Sequence, residues 1–145
     1  MRKFITSLLI LACLSSCALA DIHEFKYFSL NIPEGWESSE KILENGTSII
    51  AVVPEDGNNT PGALAMTSGN TGGLTVKEIA EKYAQDLGGT QPETDGENNY
   101  FFAFNDGKSH AMTIGDENFY IFTAVSAINE SNDILLEILN SLELK

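Results

Sequence analysis

Arginine occurs once, at Arg2, and cysteine twice, at Cys13 and Cys17, all within the first seventeen residues of a 145-residue chain. No disulfide framework can form beyond them, so the fold has to be held by a buried core. Lack of arginine also removes the side chain that grips phosphate bidentately. After residue 20, six lysines face 21 acidic residues, which takes the net charge from −13 for the whole chain to −15 for 21–145. Nucleic acid and anionic lipid surfaces repel such a chain. The acidic surface either keeps the protein soluble or meets a cationic partner or a metal. Histidine is almost as scarce, with His23 and His110 alone.

Long apolar runs are missing except at the start. "MRKFITSLLILACLSSCALA" places Arg2 and Lys3 before an apolar run from Phe4 to Leu14 and small residues before Asp21. That order is the anatomy of a secretory leader. A membrane-spanning helix needs about 20 apolar residues, and serines and a threonine interrupt this run at both ends. Residues 1–20 are therefore expected to be a signal peptide and 21–145 a single domain. Ala18-Leu19-Ala20 fits general signal peptidase, which would free a periplasmic or secreted chain starting at Asp21. Leu14-Ser15-Ser16-Cys17 instead fits a bacterial lipobox, with Cys17 acylated and the domain anchored to a membrane. The tether from Ala18 to about Phe25 that this leaves is short, and cleavage after Ala20 is the favoured expectation.

A domain of about 125 residues buries roughly two-thirds of its unfolded surface, enough for one core. Phe28, Leu30 and Ile32 alternate with Ser29 and Asn31 as one face of a strand, which Pro33 ends. A second strand over Ser38 to Leu43 leads to Asn45-Gly46, the pair a two-residue hairpin wants. "SIIAVVP", Ser48 to Pro54, is apolar on both faces, as in a covered strand. Glu55 to Gly62 is turn chemistry, and Ala63 to Ser68 is the next strand. Thr75 and Glu78 are spaced as a capping box, and Val76, Ile79, Ala80, Tyr83, Ala84 and Leu87 form one helical stripe before Gly88-Gly89. Strands at Tyr100–Phe104, Lys108–Ile114 and Asn118–Ala127 read as a meander, the first and last near the middle of a sheet. Leu135, Ile138, Leu139 and Leu142 mark a final helix. These elements predict an α+β fold, an αβα sandwich whose mostly antiparallel sheet has about six or seven strands and a helix on each face.

"FSLNIPEGWE", the capped helix before an aromatic meander, and the terminal "ILLEILNSLEL" together resemble the PsbP-like superfamily over essentially all of 21–145. That superfamily includes an extrinsic subunit of plant photosystem II, a Ran-binding nuclear import factor and bacterial lipoproteins. The resemblance implies a fold used for docking onto other proteins, without a shared enzymatic activity. Metal sites and basic segments found in plant members have no matching motif here.

Chemistry is sparsely supplied. His110 shares a strand face with Met112 and Ile114, while Ser109 points the other way, so the two make no dyad. His23 is placed in a flexible start. Acidic residues cluster in turns, and neither "DGNN" (Asp56 to Asn59) nor "ETDGENN" (Glu93 to Asn99) has the ligand spacing of a calcium loop. Gly69, Asn70, Thr71, Gly72 and Gly73 precede a helix and form the candidate ligand or partner loop, though without the lysine or glycine spacing of a phosphate cradle. Phe101, Phe102, Phe104, Phe119, Tyr120 and Phe122 lack the basic groove of a nucleic-acid platform and are assigned to the core. The expectation is a non-enzymatic exported module, without cofactor or metal, that docks onto another envelope or secreted protein. Its alternative is a small-ligand or metal-binding module using Gly69–Gly73.

Overall fold

A computed structural model describes residues 20–55, 63–126 and 132–145. Cys13, Cys17 and the expected leader lie outside them, apart from Ala20, as do "DGNN" and most of the turn before residue 63. In chain order the elements are β1 (Ala20–Glu24), β2 (Phe28–Pro33), β3 (Trp36–Ile42), β4 (Ser48–Pro54), β5 (Ala63–Asn70), α1 (Val76–Asp86), β6 (Glu93–Thr94), β7 (Tyr100–Phe104), β8 (Ser109–Gly115), β9 (Phe119–Ser126), α2 (Asn132–Asn140) and β10 (Glu143–Leu144). All pairings are antiparallel, and the fold is a sheet-rich α+β.

The strands divide between two sheets rather than forming one. Seven run in the order β3-β4-β5-β9-β8-β7-β6, and a separate sheet has the order β1-β2-β10. The division falls at "IPEGW". Pro33 closes β2, Gly35 takes a φ of 87°, and the chain re-emerges as β3 with Trp36 buried. Glu55 N–H donates to Gly35 O at 2.9 Å and ties the corner to the end of β4. The corner is structural, as its turn chemistry implies.

Period-2 alternation feeds two cores. Phe28, Leu30 and Ile32 of β2 pack with Trp36, Ile50, Val52, Leu64, Met66 and Ile121, together with Leu135 and Ile138 of α2. Phe102, Ala111 and Phe122 gather with Ala84 and Tyr83 of α1. Tyr83 stacks on Phe122 with centroids 3.9 Å apart. Its hydroxyl is held well above the usual phenol range, by burial first and by the Tyr120 hydroxyl second.

Helix α1 has both ends expected of it. Thr75 Oγ1 accepts from Glu78 N–H at 3.1 Å, and Glu78 Oε2 accepts from Thr75 N–H at 2.8 Å. At the other end Gly89 N–H donates to Ala84 O at 2.7 Å and Gly88 N–H to Gln85 O at 3.2 Å, a Schellman pair. The two glycines serve different purposes. Gly88 supplies a φ of 65°, whereas Gly89 supplies room, because a Cβ there would sit 2.6 Å from Phe102 Cδ2 and 2.9 Å from Ala103 O.

Several expectations are corrected. Residues 20–24 are strand β1, paired with β2 from Asp21 opposite Ile32 to Glu24 opposite Ser29, and no flexible start. His23 Nδ1 and Ser38 Oγ are hydrogen-bonded, linking the small sheet to β3. The β3–β4 hairpin pairs Ile42 with Ser48, and only Gly46 in its loop has positive φ, so it is not a two-residue turn. Leu43 N–H donates to Thr47 O across a three-residue loop of the type that carries a glycine bulge. β7 lies next to the edge, with only two-residue β6 outside it, which leaves Phe101 40% exposed rather than in the core.

Two stability predictions follow from these ends of α1. Gly89→Ala forces Phe102 and the β7 backbone apart and is expected to cost about 2 kcal/mol as overpacking. Gly88→Ala pays only the left-handed backbone penalty of about 1 kcal/mol. Urea unfolding of both variants should show the larger loss at residue 89, and an equal or smaller loss there would contradict the close packing. The Thr75 N–H, and then its hydroxyl, hold the Glu78 carboxyl below its ordinary 4.5. Since the folded value is the depressed one, the stability it adds is present above 4.5 and is lost as pH falls through the lowered value. The gap in melting temperature between wild type and Glu78→Gln should therefore be open at neutral pH and close in acid.

Candidate functional site

Helix α2 is only nine residues long. Leu135 and Ile138, each 1% exposed, fasten it to the larger core. It lies against β2 and stands off β7 and β8, and the gap is a cleft of about 450 Å³. The register places Phe101, Met112 and Thr123 side by side across β7, β8 and β9, with His110 beside Val125 two pairs further along on the same face. These form the sheet wall; Leu135, Leu136, Leu139 and Asn140 form the helix wall. Volumes of this size suit ligands or partner side chains, for which the usual range is about 300–1,000 Å³.

The cleft is apolar inside and open at its edge. Phe101, 40% exposed, stands on the sheet side and Leu136, 53% exposed, on the helix side. No lysine lines it. Glu93 lies opposite Phe101 in the β6–β7 ladder, and Asp133 lies three residues before Leu136 on neighbouring helix surface. Both are exposed, so the rim carries negative charge on each side. Thr123 is 2% exposed, and its Oγ1 has no hydrogen-bond partner among the described residues.

His110 is exposed, with Ala103 and Val125 as its cross-strand neighbours, so no carboxylate flanks it in the ladder. Ser109 is buried on the opposite face. Among the described residues no group of three or more His, Cys, Asp or Glu is placed to hold a metal ion. In "ETDGENN" the Asp95 carboxylate accepts from Glu97 N–H and the Asn99 amide, which hold its pKa below the usual range, so its oxygens serve their own turn.

The structure divides the segment Gly69–Gly73. Gly69 and Asn70 are the last residues of β5, paired with Tyr120 and Phe119, and are not loop. Thr71 is 5% exposed, its N–H donating to Asn118 O and its hydroxyl to Glu117 O at 2.8 Å. Gly72 and Gly73 take positive φ and lie open to solvent. Gly72 N–H is taken by Asn70 Oδ1, Leu74 N–H by Thr71 O, and Thr75 N–H by Glu78. Those three amides are engaged within the segment, and the Glu78 carboxylate sits at the positive end of α1.

Sequence reasoning passed over the cleft. Its trace was present in "NDILLEILN", where Ile134 and Leu136 are apolar outside the stripe that packs inward, and both are exposed. Phe101 gave a matching trace, on the β7 face opposite Phe102.

No protein family matches the chain, and no curated protein matches it. Among solved structures it is similar to a Bacteroides thetaiotaomicron VPI-5482 protein, at 16% identity and a TM-score of 0.43. That match covers 81% of this chain and 45% of the other, so the chain spans less than half of that protein's length.

Replacing the Thr123 hydroxyl by a methyl group removes a buried polar atom without changing the shape of the wall. Thr123→Val is expected to stabilise the domain by about 1 kcal/mol in urea unfolding. A loss of stability instead would mean that the hydroxyl has a bonding role in the folded protein.

Proposed function

We propose that the chain is an exported, non-enzymatic module of PsbP-like αβα type that docks onto another envelope or secreted protein. The observation that carries this reading is the cleft beside α2, lined by exposed Phe101 from the sheet and exposed Leu136 from the helix in a strongly acidic chain. Exposed apolar groups rimmed by charge are how a soluble domain presents a contact surface. Glu93 and Thr90 line a shallow depression with His110, but no hydrogen bond joins the imidazole to either among the described residues, and we read this group as part of a binding surface.

For export, release after Ala20 fits better than acylation of Cys17. Strand β1 begins at Ala20, so a lipidated chain would have only Ala18 and Leu19 between its anchor and the first ladder pair.

Cross-linking in intact cells followed by recovery of the protein should return one specific envelope or secreted partner. No partner across a range of mild cross-linkers would remove the docking function. Fatty-acid labelling of wild type and Cys17→Ala should leave both unlabelled; label that disappears with the substitution would establish the anchored form.

A further inference from the structure

We infer that the cleft between α2 and the β7–β9 end of the large sheet receives an apolar segment of the partner flanked by lysine or arginine. This rests on the docking function and specifies its surface and the chemistry that surface recognises. Three features combine.

The first is shape. The walls from Phe101, Met112 and Val125 on one side and Leu135, Leu136 and Leu139 on the other enclose about 450 Å³. An apolar cavity of about 150 Å³ holds one benzene ring, so this one has room for two or three side chains.

The second is what lies outside the enclosed volume. Phe101, on the sheet, and Leu136, on the helix, are 40% and 53% exposed although both line the cleft. A small molecule seated within the cleft leaves their outer surfaces wet. A polypeptide segment crossing the opening covers both while its own apolar side chains fill the space between.

Charge is the third. Exposed Glu93 pairs with Phe101 and exposed Asp133 lies three residues before Leu136, no lysine lines the cleft among the described residues, and residues 21–145 carry −15 with no arginine. A segment with acidic flanks is repelled there, whereas lysine or arginine beside the apolar anchors meets a carboxylate on each rim. Asn140 and His110 also line the cleft and offer it hydrogen-bonding groups.

The test uses isotope-labelled full-length protein and three peptides of about 18 residues, five helical turns: an amphipathic leucine–lysine peptide, its leucine–glutamate counterpart, and a lysine-rich peptide without leucine. The leucine–lysine peptide should saturate and shift the resonances of Phe101, His110, Met112 and Leu136. Its affinity should fall about tenfold in Leu136→Ser and in Phe101→Ser, as for anchor residues of an interface. Added salt should weaken it. Asp133→Asn with Glu93→Gln should weaken it at low salt and flatten that dependence. Ile49→Ser, at an exposed position on the opposite face of the large sheet, should leave it unchanged.

Equal binding of either control peptide, shifts centred elsewhere, or an equal loss in Ile49→Ser overturns the inference. So does dodecyltrimethylammonium filling the cleft more tightly than the peptide, or self-association that shifts the same residues, since these assign the cleft to a small amine or to a second copy. The two levels fail separately. A cross-linked partner kept equally by wild type and Leu136→Ser preserves docking and overturns the cleft, whereas no partner for wild type removes docking even where the peptide binds.

Discussion

Strand β9 is apolar on both faces, and its register is what the rest of the molecule depends on. Ile121 and Phe122 are neighbours in sequence, yet one enters the larger core and the other the smaller. A slip of one residue against β5 or β8 would exchange them and send each to the wrong packing partner. Two local devices oppose such a slip. Asp116 Oδ1 accepts from the N–H groups of Asn118 and Phe119, which sets the β8–β9 turn. Thr71, just beyond β5, grips the same turn through Glu117 O and Asn118 O. The β5–β9 pair has no hairpin of its own, since α1 and the meander come between, so the Thr71 clasp supplies locally what a short turn would otherwise supply. The segment that looks like a ligand loop in the sequence thus fixes strand register.

Features set by neighbouring residues were legible in the sequence. The alternation in "FSLNI", the Thr75–Glu78 box and the Gly88-Gly89 stop each depend on contacts within a few residues, and each appears as expected. The division into two sheets was not legible, because which strand pairs with which is decided by partners far along the chain. "ADIHE" has little strand character of its own. It becomes β1 because β2 offers a free edge and His23 can reach Ser38. Similarly, "EL" at the C-terminus becomes β10 because β2 has a second edge. Phe101 looked like core for the same reason in reverse, since alternation reports two apolar faces without reporting whether anything covers them.

The cleft follows from the length of α2. Nine residues are too few for a helix to be stable alone, so α2 exists by virtue of Leu135 and Ile138 in the larger core. The chain turns at Ser141, whose hydroxyl accepts from Asn31 N–H of β2 and donates to Ile138 O, and runs straight into β10. The helix is therefore held from one side, by β2, while its other side borders the opening.

That arrangement links whatever occupies the cleft to the order of the small sheet. Leu135 and Leu139 line the opening and also belong to the core that contains Phe28, Leu30 and Ile32. Contacts made to them from the cleft side add to the same helix that Ser141 and β10 bind to β2. Any occupant with affinity for the folded protein alone raises the free energy of unfolding by mass action. Helix α2 shares side chains with both the cleft and the core that contains β2. Strand β1 pairs with β2, and the His23–Ser38 bond ties it to the large sheet. The same side chains that line the cleft thus belong to the packing that joins the last helix to the first two strands.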